Sequence, residues 1–452
     1  MKVRYAQKVF VRHGGDESVV WCPRTGGCTV LGDVQPFLAE LGWAWRDADE
    51  IRRAVAAKFV CPVEDVEQDF NFVFAELISQ GFVDVEHADM TACGEAKAPS
   101  GARGGEGNSM GVDEADDASP LGDFCARHGI PVELHIDLTD ACTERCVHCY
   151  VPKGQKDYLP IDLAEKALEE FRAANGLSVH LTGGEAMMHP AFEQICRKCS
   201  ALNLNFIIFS NMTLCDEKRI AFFKEVPPQF INVSLYSMKP AEHDAVTQVP
   251  GSWERTMAAL LKCREAGIPC RIATPVLKEN QDALPALKAF ADGYRTHLVP
   301  SADIIAQADH GCANLAHACS VAEMRKVLAR DHGLFLKAYD GVMPLCDAKV
   351  CDMGASRLYL NAKGNYYPCD SMHEYVLGNV QENTFEDVWR GEKLEYLRGL
   401  KNKDFGMCAR CEKRPWCKVC PAANFNATGN LFKHHPGACA LAEVVREIHG
   451  GK

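Results

Sequence analysis

The 452-residue sequence predicts an α/β protein built around a partial (β/α)6 barrel at residues 122–342. A small α+β domain precedes the barrel and a cysteine-rich domain follows it. Three observations predict this. Six strand-like apolar runs alternate with amphipathic helical stretches between Val132 and Ile304, the pattern of repeated βα units on a parallel sheet. Residues 88–121, poor in large apolar side chains, separate that repeat from an N-terminal block of strands followed by helices. Beyond about Met343 the periodicity fades and cysteines accumulate, as in a domain organised around metal.

The N-terminal block, residues 1–87, has strand-like runs at Lys8–Arg12, Ser18–Cys22 and Cys28–Leu31 between Gly-rich turns. Asp33 is then placed to cap a short helix carrying Val34, Phe37, Leu38 and Leu41. Helices follow at about Ala48–Phe59 and Pro62–Gln80, the latter with Val63, Val66, Phe70, Val73 and Leu77 on one stripe. Strands followed by three helices describe a winged helix-turn-helix-like domain. Its third helix carries Glu64, Asp65, Glu67, Asp69 and Glu76 and no Lys or Arg, which argues against phosphate contact and therefore against DNA. The segment 88–121 reads as a flexible linker.

In the repeat, strands are expected at Val132–Leu138, Ser178–Thr182, Phe206–Ser210, Ile231–Leu235, Pro269–Pro275 and Leu298–Ile304. Helices such as Leu163–Ala174 and Trp253–Ala266 lie between them. Active residues in such barrels sit at the C-terminal ends of strands. Residues 343–452 form the cysteine-rich domain.

Composition narrows the partners. A net charge of −12 excludes nucleic acid and anionic membrane surfaces as expected partners. No N-terminal apolar h-region and no run of about 18 apolar residues appear, so a cytoplasmic protein is expected. In a reducing compartment 23 cysteines point to metal rather than disulfides. They cluster at 142–149 and 346–439, whereas scattered ones such as Cys22, Cys61, Cys215 and Cys263 read as small buried hydrophobes.

The first strand runs into Thr139-Asp140-Ala141-Cys142-Thr143-Glu144-Arg145-Cys146-Val147-His148-Cys149-Tyr150, a C-x3-C-x2-C loop with no fourth cysteine nearby. Three thiolates hold three irons of a [4Fe–4S] cube and leave the fourth open to a ligand. That open iron is what binding and reductively cleaving S-adenosylmethionine (SAM) requires. The competing reading is zinc, with His135 or His148 as fourth ligand. The second strand ends in Gly183-Gly184-Glu185, where paired glycines permit close backbone approach and a carboxylate can accept from an ammonium.

Together these motifs resemble the radical SAM superfamily across roughly residues 130–310. The resemblance implies that Cys142, Cys146 and Cys149 ligate the cluster and that His148 borders the adenine. It makes Gly183, Gly184 and Glu185 the SAM-ammonium motif, Ser234 the ribose-contacting serine and Asn211 a polar contact at the third strand end. One departure is the stretch after Ser234-Leu235, where Tyr236 and His243-Asp244-Ala245-Val246-Thr247 replace the acidic residue and later arginine of many relatives.

The distal cysteines are Cys346, Cys351, Cys369, Cys408, Cys411, Cys417, Cys420 and Cys439, enough for two fully ligated [4Fe–4S] clusters. A zinc ribbon would put about 15–20 residues between C-x2-C pairs, whereas Cys411 and Cys417 have five between them. The pattern is similar to the SPASM domain of radical SAM peptide maturases, with one residue fewer before Cys420. That resemblance implies one cluster on Cys346, Cys351, Cys369 and Cys420, and another on Cys408, Cys411, Cys417 and Cys439. Three [4Fe–4S] clusters in all are expected, one binding SAM and two auxiliary. Asp370, next to Cys369, matches an aspartate that serves as base in sulfatase-maturating relatives; a solvated carboxylate is the plainer alternative.

The N-terminal block resembles the PqqD-like leader-recognition element of enzymes that modify ribosomally made peptides, and β-augmentation is the mode expected for it. The implied activity is radical SAM modification of a ribosomal precursor peptide bound through its leader. A sulfur-to-carbon thioether is the expected product. Carbon–carbon or carbon–oxygen cross-linking, and oxidation of a Cys or Ser side chain, are the alternatives. A low-potential electron donor such as flavodoxin or ferredoxin is the implied redox partner.

Overall fold

The computed structural model describes residues 1–450 apart from 7, 24–25, 87–118, 152–153, 303, 305, 308–311, 336–341 and 373–374. The chain divides into two compact units, Met1–Val132 and Glu133–Lys452.

The first unit contains β1 (Lys2–Tyr5), β2 (Phe10–Gly14), β3 (Glu17–Cys22), β4 (Gly27–Gly32), α1 (Gln35–Glu40), β5 (Arg46–Asp47), α2 (Ala48–Phe59), α3 (Glu67–Ser79), β6 (Val83–Glu86) and α4 (Pro120–His128). Strands β2, β3 and β4 form an antiparallel meander, and a second sheet has the order β5-β1-β6. Val3, Val20, Phe37, Ile51, Phe70 and Leu77 are part of one core. Strands β1, β5 and β6 were not legible in the sequence, because they are short and exist only through long-range pairs such as Lys2 with Glu86. Asp33 does not cap α1. Its φ of 55° lies in the left-handed region and its N–H donates to Asp16 O, leaving Val34 at the N-cap. The helix expected over Pro62–Gln80 opens instead as a 3-10 turn, Val63–Val66, before α3 begins; helix N-termini commonly tighten in this way.

Residues 88–118 of the expected linker lie outside the described residues. Ser119 begins the next described stretch: its Oγ accepts from Gly122 N at 3.0 Å and caps α4. Helix α4 packs on β4 and β3 and buries Leu121, Phe124 and Cys125, and its His128 reaches Glu17 at 2.9 Å. The stretch up to Val132 therefore belongs to the first unit by packing.

The second unit runs β7 (Glu133–Thr139), α5 (Ile161–Ala173), β8 (Ser178–Gly183), α6 (Phe192–Ala201), β9 (Asn205–Ser210), α7 (Glu217–Glu225), β10 (Ile231–Ser234), α8 (Pro240–Thr247), α9 (Ser252–Glu265), β11 (Cys270–Pro275), α10 (Leu284–Tyr294) and β12 (Leu298–Ser301). It continues with α11 (Val321–Phe335), β13 (Arg357–Leu360), β14 (Asn365–Tyr367), β15 (Gly378–Asn379), α12 (Phe385–Trp389), α13 (Glu392–Arg398), α14 (Pro421–Thr428) and α15 (Pro436–Gly450). One nine-stranded sheet has the order β12-β11-β10-β9-β8-β7-β13-β14-β15. Its six strands β7–β12 are parallel and in sequence order. Strand β12 stops at Ser301, short of the expected Ile304.

Strand alternation sorts the side chains by face. Leu134, Ile136 and Leu138 of β7, Val179 and Leu181 of β8, and Phe206 and Ile208 of β9 join one core with helix residues such as Leu168, Phe171, Ile195 and Leu260. The alternate positions (Glu133, His135 and Asp137, then His180 and Thr182) face away from the helices. On β7 and β8 this inner face is therefore polar. Strand β13 adds parallel to β7, with Leu358 and Leu360 in the same core, so the cysteine-rich segment shares the sheet rather than resting on metal alone.

Candidate active site

The cysteine loop leaves β7 where the strand ends. Thr139 Oγ1 donates to Asp157 O at 2.7 Å and accepts from Ala141 N at 3.0 Å, turning the chain out of the sheet. Arg145 N and Val147 N then donate to Thr247 O and Val246 O at 3.0 and 2.9 Å, fixing the loop to the end of α8. Cys142 Sγ accepts from Glu144 N at 3.4 Å and from Asn211 Nδ2 at 3.6 Å. Cys146 Sγ lies 3.5 Å from Glu144 Oε2 and 3.7 Å from Tyr236 Oη. Desolvation pushes the Cys142 thiol up to about 12 and holds Cys146 well above the ordinary thiol value, so a metal would have to displace a proton from each.

The paired glycines meet this loop. Gly183 has φ +116°, and a Cβ there would lie 2.4 Å from Thr139 O. A Cβ on Gly184 would lie 2.4 Å from Ala141 O. Gly184 N and Glu185 N donate to Thr139 O and Ala141 O at 2.7 and 2.9 Å. The carboxylate of Glu185, 1% exposed, accepts from Met187 N, Ser210 Oγ and Asn211 N at 2.9–3.1 Å. It thus fastens the end of β8 to the end of β9. Asn211 spans the same gap, its Nδ2 donating to Thr143 Oγ1 at 3.0 Å as well as to Cys142.

The residues around His148 also converge. The His148 ring packs edge-on against Tyr236 at 5.2 Å, and Tyr236 packs against His243. Burial, then the neighbouring His317, pushes His148 down to about 4, leaving a neutral ring. Asn314 Nδ2 donates to His148 O at 3.2 Å. Ser234 ends β10, one strand over from Asn211 and near Tyr236. His135 stands elsewhere, in ring contact with His180 and Tyr359 at 4.1 and 4.2 Å.

The distal thiols fall into sets. Cys369 is pushed up by burial and then by Asp370, with Cys420 and Cys351 also acting on it. Cys417 is pushed up to about 11 by burial, with Cys439, Cys408 and Cys411 all acting on it. Cys420 Sγ caps α14 by accepting from Ala423 N at 3.3 Å. Cys346 lies on an exposed segment held to Lys403 N through its carbonyl at 3.0 Å. Asp370 is exposed and accepts from Ser371 Oγ at 2.9 Å. It faces the end of β7: Asp137 is pushed up to about 7 by burial, then by Asp140 and Asp370.

Comparison with known proteins accords with this geometry. The radical SAM superfamily model matches residues 136–291, and the SPASM iron–sulfur cluster-binding domain matches residues 351–421. This is a radical SAM/SPASM domain protein. An AdoMet-dependent heme synthase of Methanosarcina barkeri is 25% identical over 66% of this radical SAM/SPASM chain and 94% of its own. The antilisterial bacteriocin subtilosin biosynthesis protein AlbA of Bacillus subtilis is 21% identical over 72% and 76%. Streptococcus suis SuiB bound to precursor peptide SuiA shares the fold at a TM-score of 0.63 and 14% identity, covering 97% of this chain and 100% of that one.

The donor set of the radical SAM core fits an iron–sulfur cube better than zinc. Among the described residues, only Glu133, His135 and His180 bring three ligand atoms within 4.8 Å of one another, so the three loop thiols are set wider than a mononuclear ion needs. The N–H groups on Cys142 Sγ are the contacts that tune cluster sulfur. SAM- and cluster-binding capacity follows from the two matched domains. Neither Asp137 nor Glu144 was singled out from the sequence. The alternation Glu133-x-His135-x-Asp137 opposite Leu134, Ile136 and Leu138 was the available signal of a polar inner face.

Proposed function

We propose that this chain is a radical SAM maturase that modifies a ribosomally made precursor peptide, most directly by forming a sulfur-to-carbon thioether. The observation that carries the reading is the fold shared with SuiB over 97% of the chain, a span that takes in the N-terminal unit. The heme synthase alignment covers only 66%. SuiB is known bound to a precursor peptide, SuiA, and AlbA is a biosynthesis protein of the bacteriocin subtilosin. The N-terminal unit then serves as a PqqD-like, winged-helix leader-recognition domain, its acidic α3 excluding nucleic acid.

Cys142, Cys146 and Cys149 would hold the SAM-binding cluster, with His148 beside the adenine and Ser234 at the ribose. Since Glu185 is engaged by three protein donors, the ammonium contact would fall on backbone carbonyls of Gly183–Glu185, and Glu185 and Asn211 act as positioning residues. Bound SAM supplies, on one-electron reduction by a flavodoxin or ferredoxin, a 5′-deoxyadenosyl radical and methionine. Two auxiliary clusters would sit on Cys346, Cys351, Cys369 and Cys420, and on Cys408, Cys411, Cys417 and Cys439. An auxiliary cluster would supply the sink for one electron, and Asp370 would take the thiol proton; with the C–H hydrogen leaving as part of 5′-deoxyadenosine, the S–C bond would form with the loss of two hydrogens overall.

Co-expression with a short cysteine-containing precursor encoded beside this gene tests the reading. The expected product is about 2 Da lighter per link, with one thiol no longer alkylatable. A lighter product with every thiol still alkylatable moves the bond to carbon–carbon or carbon–oxygen. An unmodified peptide alongside SAM cleavage removes the assignment for that precursor. Asp370→Asn should lower cross-linked product while deoxyadenosine continues to form.

A further inference from the structure

The inner face of the sheet carries a second ligand-bearing cluster that the SAM chemistry does not use. Glu133 and His135 stand two residues apart on β7, so both side chains leave the same face. His180 is the register partner of His135 on the adjacent parallel strand β8. One carboxylate oxygen and one ring nitrogen from each histidine all lie within 4.8 Å of one another. The three residues are 1%, 9% and 0% exposed. They lie toward the start of β7 and β8, whereas the cysteine loop and Gly183–Glu185 follow the other end of those strands.

A second observation points to an occupant. Glu133 Oε2 lies 3.4 Å from His135 Nε2 and 3.5 Å from Arg357 Nε, both long, and Oε1 has no hydrogen-bond partner. A buried carboxylate oxygen left unsatisfied costs about 1–3 kcal/mol, more when charged. Two imidazoles and one carboxylate are the donor set of three-ligand zinc sites and of facial-triad iron sites, each with an open position.

We propose that Glu133, His135 and His180 bind one divalent first-row metal ion, of the zinc(II) class, on the inner face of the sheet and separate from the iron–sulfur ligands. The ion takes Glu133 Oε1, while Arg357 stays on Oε2 as the outer partner of the carboxylate. Tyr359 at 4.2 Å from His135 and Phe209 at 5.5 Å from His180 wall the rings and set their orientation.

The test uses full-length protein, reconstituted anaerobically with iron and sulfide, then incubated with zinc(II) and desalted. The expected result is about one zinc per chain, with zinc-edge X-ray absorption showing nitrogen and oxygen scatterers and no sulfur. His180→Gln and His135→Gln should each lose that equivalent while iron and sulfide content stay at the wild-type level. The proposal is overturned if wild type retains no zinc, if the zinc shows sulfur neighbours and so occupies cysteine sites, or if both variants retain it in full. Should the variants fail to fold, the wild-type absorption spectrum decides by itself.

Discussion

Gly184 has no room for a side chain, since a Cβ would lie 2.4 Å from Ala141 O and 2.7 Å from Asp140 O, both backbone atoms that cannot swing aside. Gly184→Ala must therefore displace the cysteine loop. The expected outcome is loss of about four irons per chain and of SAM cleavage, with far-UV circular dichroism unchanged. Retention of full iron by the variant would show that the loop yields cheaply. Asp137 gives a pH-dependent prediction. Its folded pKa is raised to about 7 by burial, with Asp140 and Asp370 adding to it. An ionised carboxylate there is disfavoured, so its cost is absent below the unfolded pKa, grows as pH rises and saturates above about 7. Asp137→Asn should therefore raise the melting temperature at pH 8, by the equivalent of roughly 2 kcal/mol after solvent screening, and leave it nearly unchanged at pH 4. An equal shift at both values would assign the effect to packing instead.

Among the elements, α4 decides where the N-terminal unit can be cut. Its Leu121 and Phe124 are buried against β3 and β4, each worth roughly 1.5–3 kcal/mol of transfer free energy. Removal of residues 1–87 strips that cover and leaves an apolar helix in water. Removal of 1–128 takes the helix with it. Size-exclusion chromatography should show the shorter deletion aggregating and the longer one eluting as a defined species with its iron intact. With the longer truncation, KM for full-length precursor should rise at least tenfold, while uncoupled SAM cleavage persists, if the unit holds the leader. An unchanged KM would leave the unit with a structural role.

For the whole molecule, the proposal of three clusters predicts about 12 irons per reconstituted chain. Joint replacement of Cys142, Cys146 and Cys149 with Ala should remove about four and abolish deoxyadenosine formation. Cys411→Ala or Cys417→Ala should leave SAM cleavage measurable while product falls. The sequence by itself determined the six βα units, the three-cysteine loop and its placement at the end of β7. Those features are local: apolar periodicity and short cysteine spacing depend on neighbours a few residues apart. Strands β1 and β6 were illegible because a four-residue strand is specified by its distant partner, as Lys2 is by Glu86. The joining of β13 to β7 was hidden for the same reason. Glu185 shows the limit at one residue: its motif marked the site, but only the folded chain put Ser210 and Asn211 against its carboxylate and made it a fastener between β8 and β9. The cluster of Glu133, His135 and His180 likewise needed the register of β7 against β8, which no spacing along the chain encodes, because strand pairing is fixed by the packing of both faces at once.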